Sequence, residues 1–271
     1  METQITIESL LAKNKPLKNL HVGERCFILG NGPSLKQVDL SLLADEFVFT
    51  VNNFSFVEGY EKAKTNVHLW MDLAFFDVSN AVKFNMDKIL SNYHRIAGQN
   101  PICFADIRGF NFIKKNKLDE ILDMHYLYIG SDISRNEPVS IDIGGQITGL
   151  YTVVQYAIDV AIYMGFKEIY LLGCDSTGIL DTINTALNIP ITNDHAYHDE
   201  DSENNQKQLI KNLGMTPCFF QAYALLLGYD KLNYICHNIL KVRLINCTSK
   251  TIITSIPRVD LLTVLNNSKT A

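Results

Sequence analysis

Several residue types are scarce in this chain of 271 residues: it has 7 prolines, 15 glycines and a single tryptophan. So little glycine and proline excludes a collagen-like or low-complexity chain, and 47% hydrophobic against 20% charged residues excludes a disordered or coiled-coil one. No two of the six cysteines form a C-x-x-C pair. Cys26, Cys103, Cys174, Cys218, Cys236 and Cys247 are scattered, with flanks such as Arg25-Cys26-Phe27-Ile28-Leu29 that suit a buried strand better than a disulfide framework. Cations are few as well. With 24 Lys+Arg against 29 Asp+Glu the net charge is −5, which argues against a nucleic-acid binder needing to displace counterions. No apolar run approaches the roughly 20 residues that span a bilayer, and Met1 to Leu20 lacks the apolar core of a secretory signal. The expectation is a cytoplasmic protein; attachment to the inner face of a membrane and a homo-oligomeric state stay open.

What the chain does have is alternation. Cys26–Leu29, Phe47–Val51, Val67–Met71, Ile102–Ala105, Tyr126–Ile129, Glu168–Leu172 and Val242–Ile245 are short runs rich in β-branched or aromatic residues. Helical spacing lies between them, most clearly over 150–164, where Val153, Val154, Ala157, Ile158, Ala161 and Ile162 share a face and Gly165 is placed as a stop. The pattern predicts an α/β fold, Rossmann-like, with a mainly parallel sheet covered by helices on both faces. It divides into an N-terminal helical extension over 1–23, with an amphipathic helix at 4–19, and one domain over 24–271. Within that domain the polar stretch 174–206 reads as a lid insertion and 217–239 as a helical excursion.

Ligands of such sheets sit beyond the carboxyl ends of the strands, so the residues there carry the chemistry. The first strand runs into Gly30-Asn31-Gly32-Pro33-Ser34-Leu35, whose glycines would let backbone N–H groups approach a phosphate or ribose. A tight turn demands the same residues. Asn52-Asn53 closes the second strand where dinucleotide and S-adenosylmethionine enzymes place an acid, which disfavours both. Asp72 ends the third. Gly144-Gly145-Gln146-Ile147-Thr148-Gly149 reads as a second glycine-rich bend at a helix start, an anion site to which Thr148 and Thr152 would add hydroxyls; helix capping is the plainer alternative. After Leu172 come Gly173-Cys174-Asp175-Ser176-Thr177-Gly178. Asp175 suits a ribose, a substrate hydroxyl, a metal or a turn cap, and Cys174 reads as a buried thiol, since no nucleophile elbow surrounds it. His195 and His198, flanked by Asp194 and Asp199, suit a general base, a metal pair or a solvated loop. The run Asp199-Glu200-Asp201 suits a solvated acidic cap better than a D-x-D metal motif.

Taken together, Gly30-Asn31-Gly32-Pro33-Ser34-Leu35-Lys36, Asn52, the stretch Gly165-Phe166-Lys167-Glu168-Ile169-Tyr170-Leu171-Leu172-Gly173-Cys174-Asp175 and a histidine in the next loop resemble bacterial sialyltransferases of glycosyltransferase family 42. They resemble equally the wider group of surface-polysaccharide proteins described as pterin-pyrophosphokinase-like, to which the tail Leu244–Thr248 and Ile256–Asp260 is closer. The likeness spans about 24–262. It implies a metal-independent variant of the GT-A fold, a CMP-sugar donor (sialic acid or a related acidic sugar), an oligosaccharide or glycolipid acceptor of lipopolysaccharide or capsule, and no cofactor. Gly30, Asn31, Gly32, Pro33, Ser34, Asn52, Asp72, Thr148, Gly149, Thr152, Asp175, Ser176 and Thr177 would bind the nucleotide, with His195 or His198 as base. The chain departs from the pattern at Ser176 and Thr177, where the sialyltransferases carry leaving-group tyrosines, and in having no arginine ahead of the Thr152 helix start. The alternatives are a pterin-alcohol diphosphokinase using ATP and Mg²⁺ on Asp72, Asp175 or 199–201, and a non-catalytic nucleotide-binding module.

Overall fold

The computed structural model describes residues 5–78, 85–189, 195–197, 210 and 214–267. Eight strands form one sheet in the order β6-β5-β4-β3-β2-β1-β7-β8, and every pairing is parallel. They are β1 (Arg25–Leu29), β2 (Val48–Val51), β3 (Thr65–Trp70), β4 (Ile102–Asp106), β5 (Asp123–Asp132), β6 (Gln146–Gly149), β7 (Glu168–Leu172) and β8 (Arg243–Asn246). The helices are α1 (Ile7–Ala12), α2 (Met86–Ala97), α3 (Phe110–Lys115), α4 (Val153–Met164), α5 (Gly178–Ala186), α6 (Met215–Tyr234), which runs on into a π-helical turn at Ile235–Leu240, and α7 (Leu261–Asn267).

The expected Rossmann-like α/β sheet is thus present, and its layers follow from the two-residue period of the strands. Cys26 and Ile28 of β1 join Phe49, Val67, Leu69 and Ile169 in a core closed by α4 and α6. Phe27 and Leu29, one residue out of step, face the opposite side with Tyr170, Leu172 and Leu261 of α7. Further along that side Trp70, Cys103 and Tyr126 pack on Tyr93 and Ile96 of α2. Helix α4 stops where expected: Gly165 has φ 96°, and its N–H reaches back to the Ala161 and Ile162 carbonyls. The segment ahead of β1 is tied in as well, through buried Asn14, whose amide donates to the Tyr126 and Ile143 carbonyls.

One expectation is corrected. Gln146–Gly149 is not a helix start but strand β6, paired with β5 through Tyr128↔Gln146 and Ile129↔Ile147. Gly144 and Gly145 therefore lie at the amino edge of the sheet, away from the ligand edge. The N–H of Thr148 is taken by the Ser140 carbonyl, and the Thr148 hydroxyl accepts from the Ser140 N–H at 2.9 Å. An anion site over 144–149 has no free helix terminus to supply it.

Candidate active site

Strand order breaks once. From β1 the chain builds outward through β2 to β6, then returns to lay β7 against the other side of β1. At such a switch point two loops leave neighbouring strands in opposite directions and a crevice opens at the carboxyl edge. The loops after β1, β2 and β7 meet there.

The first and last of these are locked together. Gly30 N–H donates to the Leu172 carbonyl and Gly32 N–H to the Gly173 carbonyl, both at 2.8 Å. A Cβ on Gly30 would stand 2.5 Å from the Gly173 oxygen, and one on Gly32 would stand 2.1 Å from Asp175 Oδ2. These glycines are required by the contact between two loops, and their N–H groups are spent inside the protein. That corrects the expectation that they reach toward a phosphate. Pro33 opens a 3-10 turn over Pro33–Gln37. Asp175 accepts from the Ser34 N–H at 3.1 Å and from its hydroxyl at 2.6 Å. The carboxylate is thus a staple between the loops. Burial raises its pKa, and the Ser34 hydrogen bonds pull it back down. Cys174 is the buried thiol expected, pushed up to about 12 by its burial.

The amides are the groups left over. Asn31 donates its Nδ2 to the Val51 carbonyl at 3.0 Å, yet its Oδ1 is buried with no partner among the described residues. Asn52 sits at φ 49°, a left-handed conformation that asparagine tolerates better than most residues. Three hydrogen bonds hold it there: its N–H goes to Leu69, and its carbonyl accepts from His68 Nε2 at 3.1 Å and Asn92 Nδ2 at 2.8 Å. Its Oδ1 is also buried and unpartnered. His68 does this supporting work as a neutral ring, because burial lowers its pKa to about 3.

The loop after α5 returns to this place. Ala196 N–H donates to the Asn31 carbonyl at 2.7 Å, which sets His195 beside the crevice. The His195 ring stacks on Tyr197 at 5.1 Å between centroids, and the Tyr197 hydroxyl receives Asn53 Nδ2 at 3.4 Å. His198, Asp194 and the run 199–201 lie outside the described residues. On the other rim Thr152 precedes α4, and Ser176 follows Asp175 in a left-handed conformation. Both side chains lie near the hydroxyl of Tyr229, a buried residue of α6, and act to lower its pKa against the burial that raises it. Thr177 precedes α5. Asp72 stands apart from this grouping and caps its own turn through the Ala74 N–H at 2.9 Å. Gly149 is held against Asp132, 2.8 Å from where its Cβ would be. Among the described residues no three His, Cys, Asp or Glu side chains gather as a metal site would require.

The structure therefore brings together Asn31, Asn52, Asp175, Ser176, Thr152 and His195. Sequence reasoning missed Asn92, Tyr197 and Tyr229, which act across long separations and carry no local signal.

This sheet and crevice define a Rossmann-like α/β protein with a candidate site at the switch point. Among solved structures the fold is similar to that of the sialyltransferase CstII from Campylobacter jejuni, solved in complex with a substrate analogue, cytidine-5'-monophosphate. The two are 19% identical, 88% of this chain and 85% of that one are covered, and the TM-score is 0.50. A weaker likeness, at 13% identity and TM-score 0.44 over 93% of this chain and 37% of the other, is to the MAf glycosyltransferase from Magnetospirillum magneticum AMB-1. No family model and no curated protein sequence matches the chain.

Proposed function

We propose that the chain is a glycosyltransferase that moves a sugar, sialic acid or a related acidic one, from a CMP-activated donor to an oligosaccharide or glycolipid acceptor. The observation that carries the reading is the pair of buried amide oxygens, Asn31 Oδ1 and Asn52 Oδ1, left without partners at the ends of β1 and β2. A buried acceptor without a donor costs about 1–3 kcal/mol, so two at the ends of neighbouring strands, unpartnered among the described residues, call for a ligand rich in N–H and O–H groups. The exocyclic amine of cytosine and the ribose hydroxyls supply such donors; a phosphate, all acceptor at neutral pH, does not. The likeness to a fold solved with cytidine monophosphate points the same way.

In the reaction, an acceptor hydroxyl oxygen bonds to the anomeric carbon of the donor as the bond from that carbon to the CMP phosphate oxygen breaks. The electron pair leaves with CMP, the hydroxyl proton passes to His195 Nδ1 or Nε2, and the anomeric centre inverts. A monophosphate leaving group needs less charge neutralisation than a diphosphate, so the hydroxyls of Thr152 and Ser176 serve where a divalent cation otherwise would. Asp175 and Asp72 are occupied by Ser34 and Ala74, which weighs against the ATP–Mg²⁺ diphosphokinase.

Thermal-shift titration with CMP, CDP, ATP and S-adenosylmethionine, each with and without EDTA, tests the nucleotide. CMP or CDP should stabilise the protein equally in both conditions; preference for ATP–Mg²⁺ would overturn the reading. His195→Ala should lower transfer by about 10²–10⁴-fold while CMP binding persists. Full transfer rates in both His195→Ala and His198→Ala would remove the histidine base.

A further inference from the structure

A second grouping at the carboxyl edge takes no part in the crevice just described. At the end of β4, Asp106 has no exposed surface and clamps Arg108, accepting from its Nε at 2.9 Å and from its Nη2. The Arg108 side chain is nevertheless 55% exposed, so its remaining N–H donors face solvent. Asp132, exposed at the end of β5, is paired with Gly149, two residues before Tyr151, and its charge raises the pKa of both Arg108 and the Tyr151 hydroxyl. The Tyr151 ring meets Phe220 edge-on at 6.0 Å, and Phe220 lies 6.5 Å from Tyr223. These last two, in the first turns of α6, are 54% and 50% exposed, beside Phe219 at 49%.

We propose that the strip Arg108, Asp132, Tyr151, Phe220 and Tyr223 is a saccharide subsite that holds the acceptor glycan, an assignment that rests on the glycosyltransferase reading. A pyranose ring has an apolar face of C–H groups and a rim of hydroxyls. Open aromatic rings match the face, and a carboxylate beside a guanidinium accepts from and donates to the rim. Solvent-facing aromatics so closely grouped are uncommon on a surface that has no partner. The charges select the occupant: two carboxylates and one cation, with no lysine in the grouping, repel an anionic lipid surface or a nucleic acid and suit a neutral sugar. The strip is also continuous with the crevice. A cavity of about 370 Å³ runs behind Tyr151 to Ser176, bounded by Thr182, Gln221, Leu225 and Ile252. A glycan lying along the aromatics thus extends toward the loop that carries Asp175.

Saturation-transfer NMR on the full chain tests this, using methyl β-galactoside, methyl β-glucoside, methyl α-mannoside and methyl N-acetyl-β-glucosaminide as probes, with CMP titrated separately. Irradiating the aromatic protons should saturate the ring protons of at least one pyranoside. Phe220→Ala/Tyr223→Ala and Asp132→Asn should each weaken that binding tenfold or more while CMP affinity stays within twofold of the original. The assignment is overturned if none of the four binds, or if the double variant still binds the same sugar. It is equally overturned if the double variant loses binding only to phosphatidylglycerol vesicles. Failure of CMP alone, with the saccharide response intact, would instead count against the nucleotide reading.

Discussion

Gly30-Asn31-Gly32 and Gly144-Gly145 look alike as glycine-rich bends beside β-strands, yet they stand at opposite edges of the sheet. The first follows β1 at the carboxyl edge and is wedged against the loop after β7, with Asp175 Oδ2 2.1 Å from a Cβ on Gly32. The second precedes β6 at the amino edge, where a Cβ on Gly145 would meet nothing nearer than the Asp142 carbonyl at 4.0 Å. What separates them is the neighbouring strand. β1 lies between β2 and β7 at the switch point, so its outgoing loop is crowded from both sides; β6 is an edge strand, with a partner on one side only. A glycine motif acquires meaning from the strand it leaves, and its spelling alone does not separate a close loop contact from an open turn.

Acid should break the first bend's surroundings most severely. His68, which holds the Asn52 carbonyl, takes a proton near pH 3 in the folded chain and near 6.5 when unfolded. Between those values the unfolded state binds more protons, so stability falls as pH drops, by up to about 1.4 kcal/mol per unit. His125 on β5, lowered to about 4 by burial, adds to the same window. Urea midpoints taken from pH 7 down to pH 4 should decline steadily; a level profile would show that these rings are not buried neutral.

The glycines themselves come next. Gly32→Ala must push the short, stapled Asp175 carboxylate aside and should cost about 1–3 kcal/mol, whereas Gly145→Ala should be neutral or add about 0.5 kcal/mol by stiffening the unfolded chain. Chemical denaturation of the two variants side by side would collapse the comparison if they shifted equally. Smaller again, Asn52→Gly keeps the left-handed backbone and removes only the amide, so CMP affinity should fall about tenfold with stability nearly kept. Calorimetric titration finding unaltered affinity would detach Asn52 from the ligand. Smallest of all, Phe220→Ala/Tyr223→Ala removes exposed rings and should move the melting midpoint by no more than about 0.5 kcal/mol of stability.

Much of the scaffold was legible because parallel strands buried on both faces are spelled as short β-branched and aromatic runs, as in Phe27-Ile28-Leu29 and Ile169-Tyr170-Leu171-Leu172. β6 was not, because Gln146-Ile147-Thr148-Gly149 carries one large apolar residue between glycines and polar neighbours, and becomes a strand through pairing with β5. At the site, Asn31, Asn52, Asp175 and His195 were visible as strand-end or loop residues. Their relations were hidden. The Asp175–Ser34 staple and the Ala196–Asn31 bond join distant parts of the chain, and nothing local in either partner announces the other. The aromatic strip was overlooked for a related reason: Phe219, Phe220 and Tyr223 sit in an apolar helix, and nothing in its sequence marks them as exposed.

The staple also orders events during synthesis. Ser34 and Asp175 are 141 residues apart, and β7 supplies the wall against which the first loop is set. A nascent chain that has emerged only through β6 already contains Asn31 and Asn52, but the edge of β1 that should carry β7 is still bare. Such a chain can build most of a sheet and yet form no crevice, because pairings between distant segments come late. On the proposed reading, nucleotide binding would therefore mark the finished chain, acquired when β7 docks, and a fragment ending before residue 168 should fold in part and bind no CMP.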